Sequence, residues 1–541
     1  MKYFFHLFLL VVLFFFNKSL VGQPESKFLP FDWIQYKKSG KINSLSFSDR
    51  YAFIGTENSG ILRFDFLLSK YDFPITKAQG LKSNTINLVH YLSNGSLWVL
   101  SNYGLEFSFN SKGDWRNIPY NQIGFSSNTS FESIGSTEEY LWIKTSDSFY
   151  KFDIFNGYLI GRYSFPSGDI KWSSKKINNK LLNDIIYSYS FIEGWLVDRS
   201  GLISPIGDFV EILSIGYDNR GDIWLGASDG TLFYSNKTMK LFYPYRFQFS
   251  NNNIQDIEYN YNMWVAGRIE KSQTGITMIN TFNNKTTEFF YDDILNIDNR
   301  SVFSILDMKD ETWFGGQGLL IYDKEDKTWT DKSSSLRVHD NRITKIIQAN
   351  QDIWIGTTDG LIAYNSMSKK IITNFITEYL DGYHIIDIFY KDSIAFITSN
   401  FGLEIIDIKN KKIYKGNDFG YSDNNFSYPT SKFSFTDLFY YDQALYVANR
   451  DGIISFNYLD RSWSNVVNAS IFGGTIVHCL AVDKKNIFIS TINGIYHYNI
   501  SKKNAEFYSY NFLGKVNDMY INNRILWIGT SEGLFSFRYK Q

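Results

Sequence analysis

Short apolar strands alternate with polar turns in one phrase that recurs along most of the chain. Each copy holds an aromatic residue inside an apolar strand, a polar turn that usually ends in glycine, and a second apolar strand. The aromatic residue falls at positions 53, 98, 142, 195, 224, 264, 313, 354, 396, 446, 488 and 527. The intervals between successive positions scatter around the roughly 40 to 45 residues of a four-stranded propeller blade. The pattern therefore predicts an all-β fold of about twelve propeller blades.

The glycine of each phrase indicates a hairpin turn. It follows the aromatic residue by six positions in several copies, as in Asp359-Gly360, Asp451-Gly452 and Asn493-Gly494. Such pairs suit a type I′ turn, in which both central residues need positive φ. We therefore predict type I′ hairpins at these three positions.

Twelve copies exceed one ring, because propellers usually close with about 4 to 8 blades. The interval from Trp195 to Trp224 is too short for a full blade, so we place the first propeller at residues 24 to 210 and the second at 211 to 541. The strand at Phe31 to Tyr36 can complete the last blade, in which case residues 500 to 541 can also close the first ring. A tandem split into six and six blades is the alternative.

The first 23 residues are typical of a secretory signal peptide. Lys2 precedes an apolar stretch from Phe4 to Phe16, and Val21-Gly22-Gln23 supplies the small residues of a cleavage region. The apolar stretch is shorter than the roughly 20 residues of a membrane-spanning helix, so we expect cleavage, with a retained anchor as the alternative. No later segment is apolar for long enough to span a bilayer. The mature chain is expected to be secreted or periplasmic, with peripheral attachment to the outer membrane as one option.

Charge and residue usage exclude several kinds of partner. The formal net charge is -1, with 54 basic and 55 acidic residues interleaved, which disfavours nucleic acid as a ligand. Cys479 is the single cysteine, so no internal disulfide forms, and its apolar surroundings predict a buried thiol. Histidines are scattered without paired spacing. We therefore predict neither a metal site nor a cofactor.

Repeated residues that look functional have simpler structural explanations. Trp98, Trp224, Trp354 and Trp527 alternate with apolar neighbours and are predicted to pack between blades. Two turns, 226 to 230 and 529 to 533, match the Gly-x-Ser-x-Gly pattern of a nucleophile elbow. An elbow joins a strand to a helix, whereas these turns join two strands. No residue is predicted to be catalytic.

The phrase Ile-Trp-Ile-Gly-Thr-x-x-Gly-Leu at residues 353 to 361, closely matched at 526 to 534, resembles the two-component-regulator propeller repeat. This resemblance implies paired periplasmic propellers of the kind that form the sensor half of hybrid histidine kinases, many of which detect glycans. Trp33, Gly55-Thr56 and the run from Gly80 to Ile86 are also similar to the propeller part of a type IX secretion accessory protein. Because no kinase region follows in the sequence, we expect no signalling output from this chain.

The longest insertions into the repeat predict where a ligand binds. Residues 417 to 429 extend one connection and residues 268 to 275 widen one hairpin, and both are expected at one mouth of the second ring. Tyr421, Phe426 and Tyr428, set among Asn and Asp, suit contact with a glycan or a protein. The alternative is a loop that folds back and packs these aromatic rings over the blade edge.

These observations predict a non-enzymatic recognition or assembly platform at the bacterial envelope, with a glycan or an envelope protein as its partner. Two alternatives stay open: a detached periplasmic sensor that acts with a separate kinase, and a propeller polysaccharide lyase or glycosidase.

Overall fold

The computed structural model describes residues 28–539, apart from 126–128, 174–178, 248, 261, 270–274, 281–284, 292–293, 295–299, 337–341, 416–417, 423–425 and 430–434. The predicted signal peptide lies outside the described residues. Within them, the chain forms eleven sheets, most of four antiparallel strands each. The predicted all-β propeller fold is confirmed. No helix in the described part of the chain is long and apolar enough to cross a membrane.

Packing divides the chain into two compact units. One comprises the chain up to Gln35, Ser39–Phe247 and Tyr510–Phe512, and the other comprises Tyr36–Lys38, Gln248–Ser509 and Leu513–Gln541. The longest segments of the two units meet between Phe247 and Gln248, whereas the boundary predicted from the sequence lies between residues 210 and 211. The chain also passes between the units near the end of the first strand, β1 (Trp33–Tyr36).

The first unit contains four blades. Their strands, from the inside outwards, are β2 (Ile42–Phe47), β3 (Tyr51–Thr56), β4 (Ile61–Asp65) and β5 (Lys70–Ile75); β6 (Ile86–Tyr91), β7 (Leu97–Ser101), β8 (Gly104–Ser108) and β9 (Arg116–Pro119); β10 (Phe131–Ser136), β11 (Tyr140–Thr145), β12 (Phe149–Asp153) and β13 (Leu159–Tyr163); and β18 (Phe209–Tyr217), β19 (Ile223–Ala227), β20 (Thr231–Ser235) and β21 (Leu241–Arg246).

Shorter elements complete this unit. They are β14 (Lys171–Trp172), β15 (Ser190–Phe191), β16 (Leu196–Asp198), β17 (Gly201–Ile203), the helices α1 (Tyr120–Ile123) and α2 (Asn179–Ser188), and a 3₁₀ turn at Lys77–Gln79. The repeat copy at Trp195 makes no blade of its own. Its strands β16 and β17 instead pair onto the long strand β18, which extends the blade of Trp224. Twelve copies of the repeat thus give eleven sheets.

The second unit is a ring of seven blades. Its first six blades are β22 (Ile254–Tyr259), β23 (Met263–Gly267), β24 (Gly275–Asn280) and β25 (Lys285–Phe290); β26 (Val302–Asp307), β27 (Glu311–Gly316), β28 (Gly318–Asp323) and β29 (Thr328–Asp331); β30 (Ile343–Ala349), β31 (Asp352–Thr357), β32 (Gly360–Asn365) and β33 (Lys370–Ile372); β34 (Ile385–Lys391), β35 (Ile394–Ser399), β36 (Gly402–Asp407) and β37 (Lys412–Lys415); β39 (Asp437–Tyr441), β40 (Ala444–Asn449), β41 (Gly452–Asn457) and β42 (Ser462–Asn468); and β43 (Val477–Asp483), β44 (Asn486–Thr491), β45 (Gly494–Asn499) and β46 (Asn504–Tyr508).

The last blade joins both ends of the chain. It holds β47 (Val516–Asn522), β48 (Ile525–Thr530) and β49 (Gly533–Arg538), and β1 pairs with β49 as the outermost strand. The N-terminal strand completes this blade as predicted, but the blade belongs to the second unit and not to the first ring, which residues 500 to 541 were expected to close. The strand β47 in turn lies against β22, which closes the seven-bladed ring. Short elements of this unit are β38 (Tyr421–Ser422), α3 (Phe375–Tyr379) and a 3₁₀ turn at Ala469–Phe472.

Blades pack through apolar residues on both faces. Trp98, Trp224 and Trp354 are buried, with at most 4% of the side chain exposed, so their predicted packing role is confirmed. Trp527 is only partly buried and lies against the ring of Tyr36, with 6.1 Å between centroids. The thiol of Cys479 is buried beside the Ser490 hydroxyl at 3.0 Å, and burial raises its pKa well above the usual value.

A glycine two residues after the aromatic allows neighbouring blades to approach closely. A Cβ atom on Gly356 would lie 2.7 Å from Cγ2 of Ile385 in the next blade, which is shorter than any normal contact. The same clash would arise between Gly529 and Ile254, also at 2.7 Å. Any side chain here would push the second strand of one blade away from the inner strand of the next.

The predicted type I′ hairpins are wrong at the three positions named. Gly360, Gly452 and Gly494 have positive φ, but the residue before each glycine does not. A single positive φ at the closing glycine is enough to turn the chain there. Two consecutive positive φ values, as type I′ requires, occur instead in hairpins at the opposite end of the strands, for example at Asp392 and Ser393.

Replacing Trp354 with alanine should lower the free energy of unfolding by roughly 3–5 kcal/mol, because the buried indole leaves a cavity. The matched control is Met367→Ala in the same blade, since Met367 is 71% exposed and should change stability by less than about 0.5 kcal/mol. Chemical denaturation of both variants checks this. Equal effects would show that Trp354 is not a core residue.

Deletion of residues 24 to 40 should destabilise the protein and promote aggregation, because the outer edge of β49 loses its partner strand. Thermal unfolding and size-exclusion chromatography of the shortened chain measure both effects. A monomeric deletion variant with the melting temperature of the full chain would contradict the assignment.

Candidate functional site

Two adjoining cavities, of about 580 and 430 Å³, lie at one end of the first unit. Their walls come from the ends of the inner strands and from the turns that lead to the second strands. Five of the lining residues are common to both cavities: Phe47, His90, Tyr91, Lys171 and Asn219. These residues come from three blades and from β14, so the cavities form only when the unit has assembled.

The short strand β14 contributes to the walls of both cavities. It pairs antiparallel with β10, the inner strand of its blade, with Trp172 opposite Gly135. A Cβ atom at Gly135 would lie 2.8 Å from the carbonyl oxygen of Lys171, so glycine is needed for this close approach. As a result, Lys171, Trp172 and Ser173 reach the cavity walls.

A chain of hydroxyl groups fixes the imidazole of His90. Nδ1 lies 2.6 Å from Oγ of Ser173, and Nε2 lies 2.8 Å from Oγ of Ser136. The Ser173 hydroxyl is also 2.9 Å from that of Ser46, which accepts a hydrogen bond from the backbone N–H of Tyr91. Both ring nitrogens therefore have partners, and the ring orientation is set before any ligand arrives.

The electrostatics of His90 argue against acid–base catalysis. Burial lowers the pKa of His90 to about 3, so the imidazole is neutral at physiological pH. A general base works best when its pKa lies near the working pH. The two described partners of the imidazole are hydroxyls, whereas a Ser-His-acid triad places a carboxylate on one nitrogen. The arrangement suits directed hydrogen bonding.

The rim of the larger cavity combines charged groups with aromatic faces. The Asn219 amide donates to the Asp49 carboxylate at 2.8 Å and accepts from the Lys171 ammonium at 3.4 Å. The rings of Phe53 and Tyr91 stack at a centroid distance of 5.1 Å and line the same cavity. The cavity thus offers flat apolar surface beside fixed donors and acceptors.

The insertion residues predicted as a site lie elsewhere, in the second unit. Tyr421 is 73% exposed on β38, which pairs in parallel with β42. Phe426 stacks on Trp463 at 6.1 Å, and Tyr428 lies 6.0 Å from Phe435. Burial raises the pKa of Tyr428 to about 12. Only Tyr421 projects into solvent, while the other two rings lean on the core of the blade.

The role of these three residues in binding stays a prediction. So does their grouping with the hairpin insertion at residues 268 to 275, because residues 270–274 lie outside the described part of the chain.

Sequence reasoning missed the cavities of the first unit. His90 was one of several scattered histidines, and Ser136 and Ser173 lie 46 and 83 positions away from it. The sequence held one usable signal: a histidine stands within an inner strand, between Val89 and Tyr91, where a charged group would be costly to bury.

Comparisons with known proteins give structural relatives only. No family model matches the chain, and no curated protein matches it. Among solved structures it is similar to an extracellular domain assigned to a hybrid two-component system, BT4673 of B. thetaiotaomicron, with 15% identity over 95% of this chain and 71% of that one and a TM-score of 0.41. It is also similar to a second such domain, BT3049 of B. thetaiotaomicron. The identity is 16% over 92% of this chain and 81% of that one, with a TM-score of 0.30.

The chain is also similar to PorZ, a surface component of the type-IX secretion system of Porphyromonas gingivalis. The identity is 12% over 92% of this chain and 74% of that one, with a TM-score of 0.43. These proteins are of the two kinds that the repeated motif resembles. The fold assignment itself comes from the sheets described above.

His90 predicts a defined pH dependence of stability. Its pKa is about 3 in the folded chain and about 6.5 when unfolded, so only the unfolded chain takes up a proton between these values. Its contribution to stability is therefore present above pH 6.5 and decreases as the pH falls. Between pH 7 and 5 the wild type should lose up to about 2 kcal/mol relative to His90→Gln. Parallel stability curves for the two proteins would show that His90 is not buried as a neutral ring.

Proposed function

We propose that this chain is a non-enzymatic recognition protein that acts outside the cytoplasm and binds an oligosaccharide in the cavities of the first unit. The observation that carries the proposal is a concave site in which aromatic faces adjoin hydrogen-bonding groups that are already held in place. Sugar rings present an apolar face and a rim of hydroxyls, so they need both kinds of surface together.

The size and shape of the site favour a small ligand over a protein surface. A volume of about 580 Å³ lies within the roughly 300–1,000 Å³ of small-molecule pockets. Protein interfaces instead bury about 800 Å² per partner over a wider surface. The neutral imidazole of His90 supports binding without bond cleavage, because it can donate one hydrogen bond and accept another but exchanges no proton near neutral pH.

The test is calorimetric titration of the full chain with a panel of purified envelope and dietary oligosaccharides. We expect saturable binding by at least one member. The double variant Lys171→Ala, Asn219→Ala should weaken that binding at least tenfold, because it removes the exposed polar rim with little loss of buried area. Binding that is unchanged in this variant would exclude the cavities as the site.

Two controls separate the alternatives. Lys370→Ala, at an exposed position in the second unit, should bind as the wild type does. The triple variant Tyr421→Ala, Phe426→Ala, Tyr428→Ala tests the insertion loop; loss of binding in it alone would move the site there. Release of reducing ends from any polysaccharide would instead favour a lyase or glycosidase.

A further inference from the structure

The outer edge of β13 in the first unit is the feature that the proposed glycan site does not explain. The strand and its flanks expose six large apolar side chains within eleven residues: Phe155 (67% exposed), Tyr158 (73%), Leu159 (39%), Ile160 (46%), Tyr163 (40%) and Phe165 (81%). The strand is the last in its sheet, so one row of its backbone groups has no strand partner within that sheet. Exposed apolar edge strands are templates for pairing with another chain.

Other outer strands of the chain carry the residues that usually block such pairing. Proline interrupts β5, β9 and β21, at Pro74, Pro119 and Pro244. Lysine stands at both ends of β37. In β13 the protection is weaker: one charged residue, Arg162, and a bulge at Ile160, where the partners of Lys151 and Phe152 shift to Gly161 and Leu159.

The chain itself shows how an outer strand of a blade accepts one more strand. In the first unit, β15 pairs in parallel with the outer strand β21. In the second unit, β38 pairs in parallel with the outer strand β42. A blade of this architecture therefore tolerates one more strand at its outer edge, and no strand among the described residues pairs with the more apolar outer edge of β13.

The charge on β13 defines the chemistry of the strand that fits. The Nε–H of Arg162 donates to the Ser148 hydroxyl at 2.8 Å, and the guanidinium lies 5.7 Å from the ring of Tyr150. Arg162 remains exposed on one face of the strand, so a strand added alongside would place a side chain of that same face next to it. Tyr163, the next residue, points to the opposite face and contacts Trp142 at 5.6 Å. A complementary strand needs a carboxylate on one face and an apolar side chain on the other.

We propose that β13 binds an extended segment of a partner protein as an additional outer strand, with an acidic side chain beside Arg162 and apolar side chains along the rest of the edge. Backbone hydrogen bonds supply the affinity, and the alternate side chains supply the selectivity. Self-pairing of two copies through β13 is less favourable. A two-fold axis near Gly161 brings the two Arg162 side chains to diagonal positions on one face, where like charges repel.

The experiment uses the full chain and two fluorescein-labelled peptides. Each peptide has nine residues that alternate valine and threonine, with either glutamate or lysine in the centre. Fluorescence anisotropy should show saturable binding of the glutamate peptide, and at least tenfold weaker binding by the double variant Leu159→Lys, Ile160→Lys. Leu67→Lys, an 80% exposed site in the same unit, is the matched control and should bind normally.

Reversing the charge of Arg162 tests whether the acidic side chain of the bound segment lies beside this residue, and it adds no lysine to the edge. Arg162→Glu should change the preference from the glutamate peptide to the lysine peptide by at least threefold, and its melting temperature should show that it folds. No binding of either peptide at 1 mM, or equal binding by Arg162→Glu and the wild type, would overturn the proposal. A dimer of the wild type that dissociates in the Leu159→Lys, Ile160→Lys variant would also overturn it in favour of self-pairing.

Discussion

Hydrogen bonds between neighbouring blades hold each unit together. In each bond, a side chain on the inner strand of one blade accepts from a backbone N–H of the next blade. In the second unit, Asp518 accepts from the N–H of Ile257, Asp256 from that of Ile305, and Ser304 from that of Ile346. Because neighbouring blades share no β-ladder, apolar packing alone would let them slide. These bonds fix the position of one blade against the next, and a buried N–H left without its acceptor would cost about 1–3 kcal/mol.

The two units solve the same problem with different chemistry. The first uses hydroxyls, as where Ser44 accepts from the N–H of Val89. The second uses carboxylates at most of these positions, with Ser304 as an exception. Burial, followed by repulsion from neighbouring acids, raises the pKa of Asp256 and Asp437 well above the usual value. Lys345 compensates part of this charge through its ion pair with Asp387 at 3.3 Å, and the attraction of Asp387 raises its pKa in turn. The acceptor at this contact is therefore a neutral hydroxyl in the first unit and most often an ionisable carboxyl group in the second.

The sequence predicted the blades well because each blade repeats a local pattern. Trp354 and Gly360 lie in one hairpin, so spacing and turn chemistry were sufficient to place them. The cavities were beyond such reasoning, since His90 meets Ser173 only after three blades and β14 have assembled. The turn type was misjudged for a smaller reason. A dipeptide such as Asp359-Gly360 is compatible with more than one turn, and the strand register decides between them.

Closure of the second ring sets an order on folding. The bond from the N–H of Ile257 to Asp518 spans 261 residues, and β1 finds its partner β49 about 500 positions away. Contacts of such long range form slowly, because the intervening chain must be ordered first. During synthesis, the face of the β22 blade that packs against β47 must therefore stay uncovered until nearly the whole polypeptide has emerged. A chain exported as it is made would carry this uncovered face across the membrane, and the ring would close in the compartment of arrival.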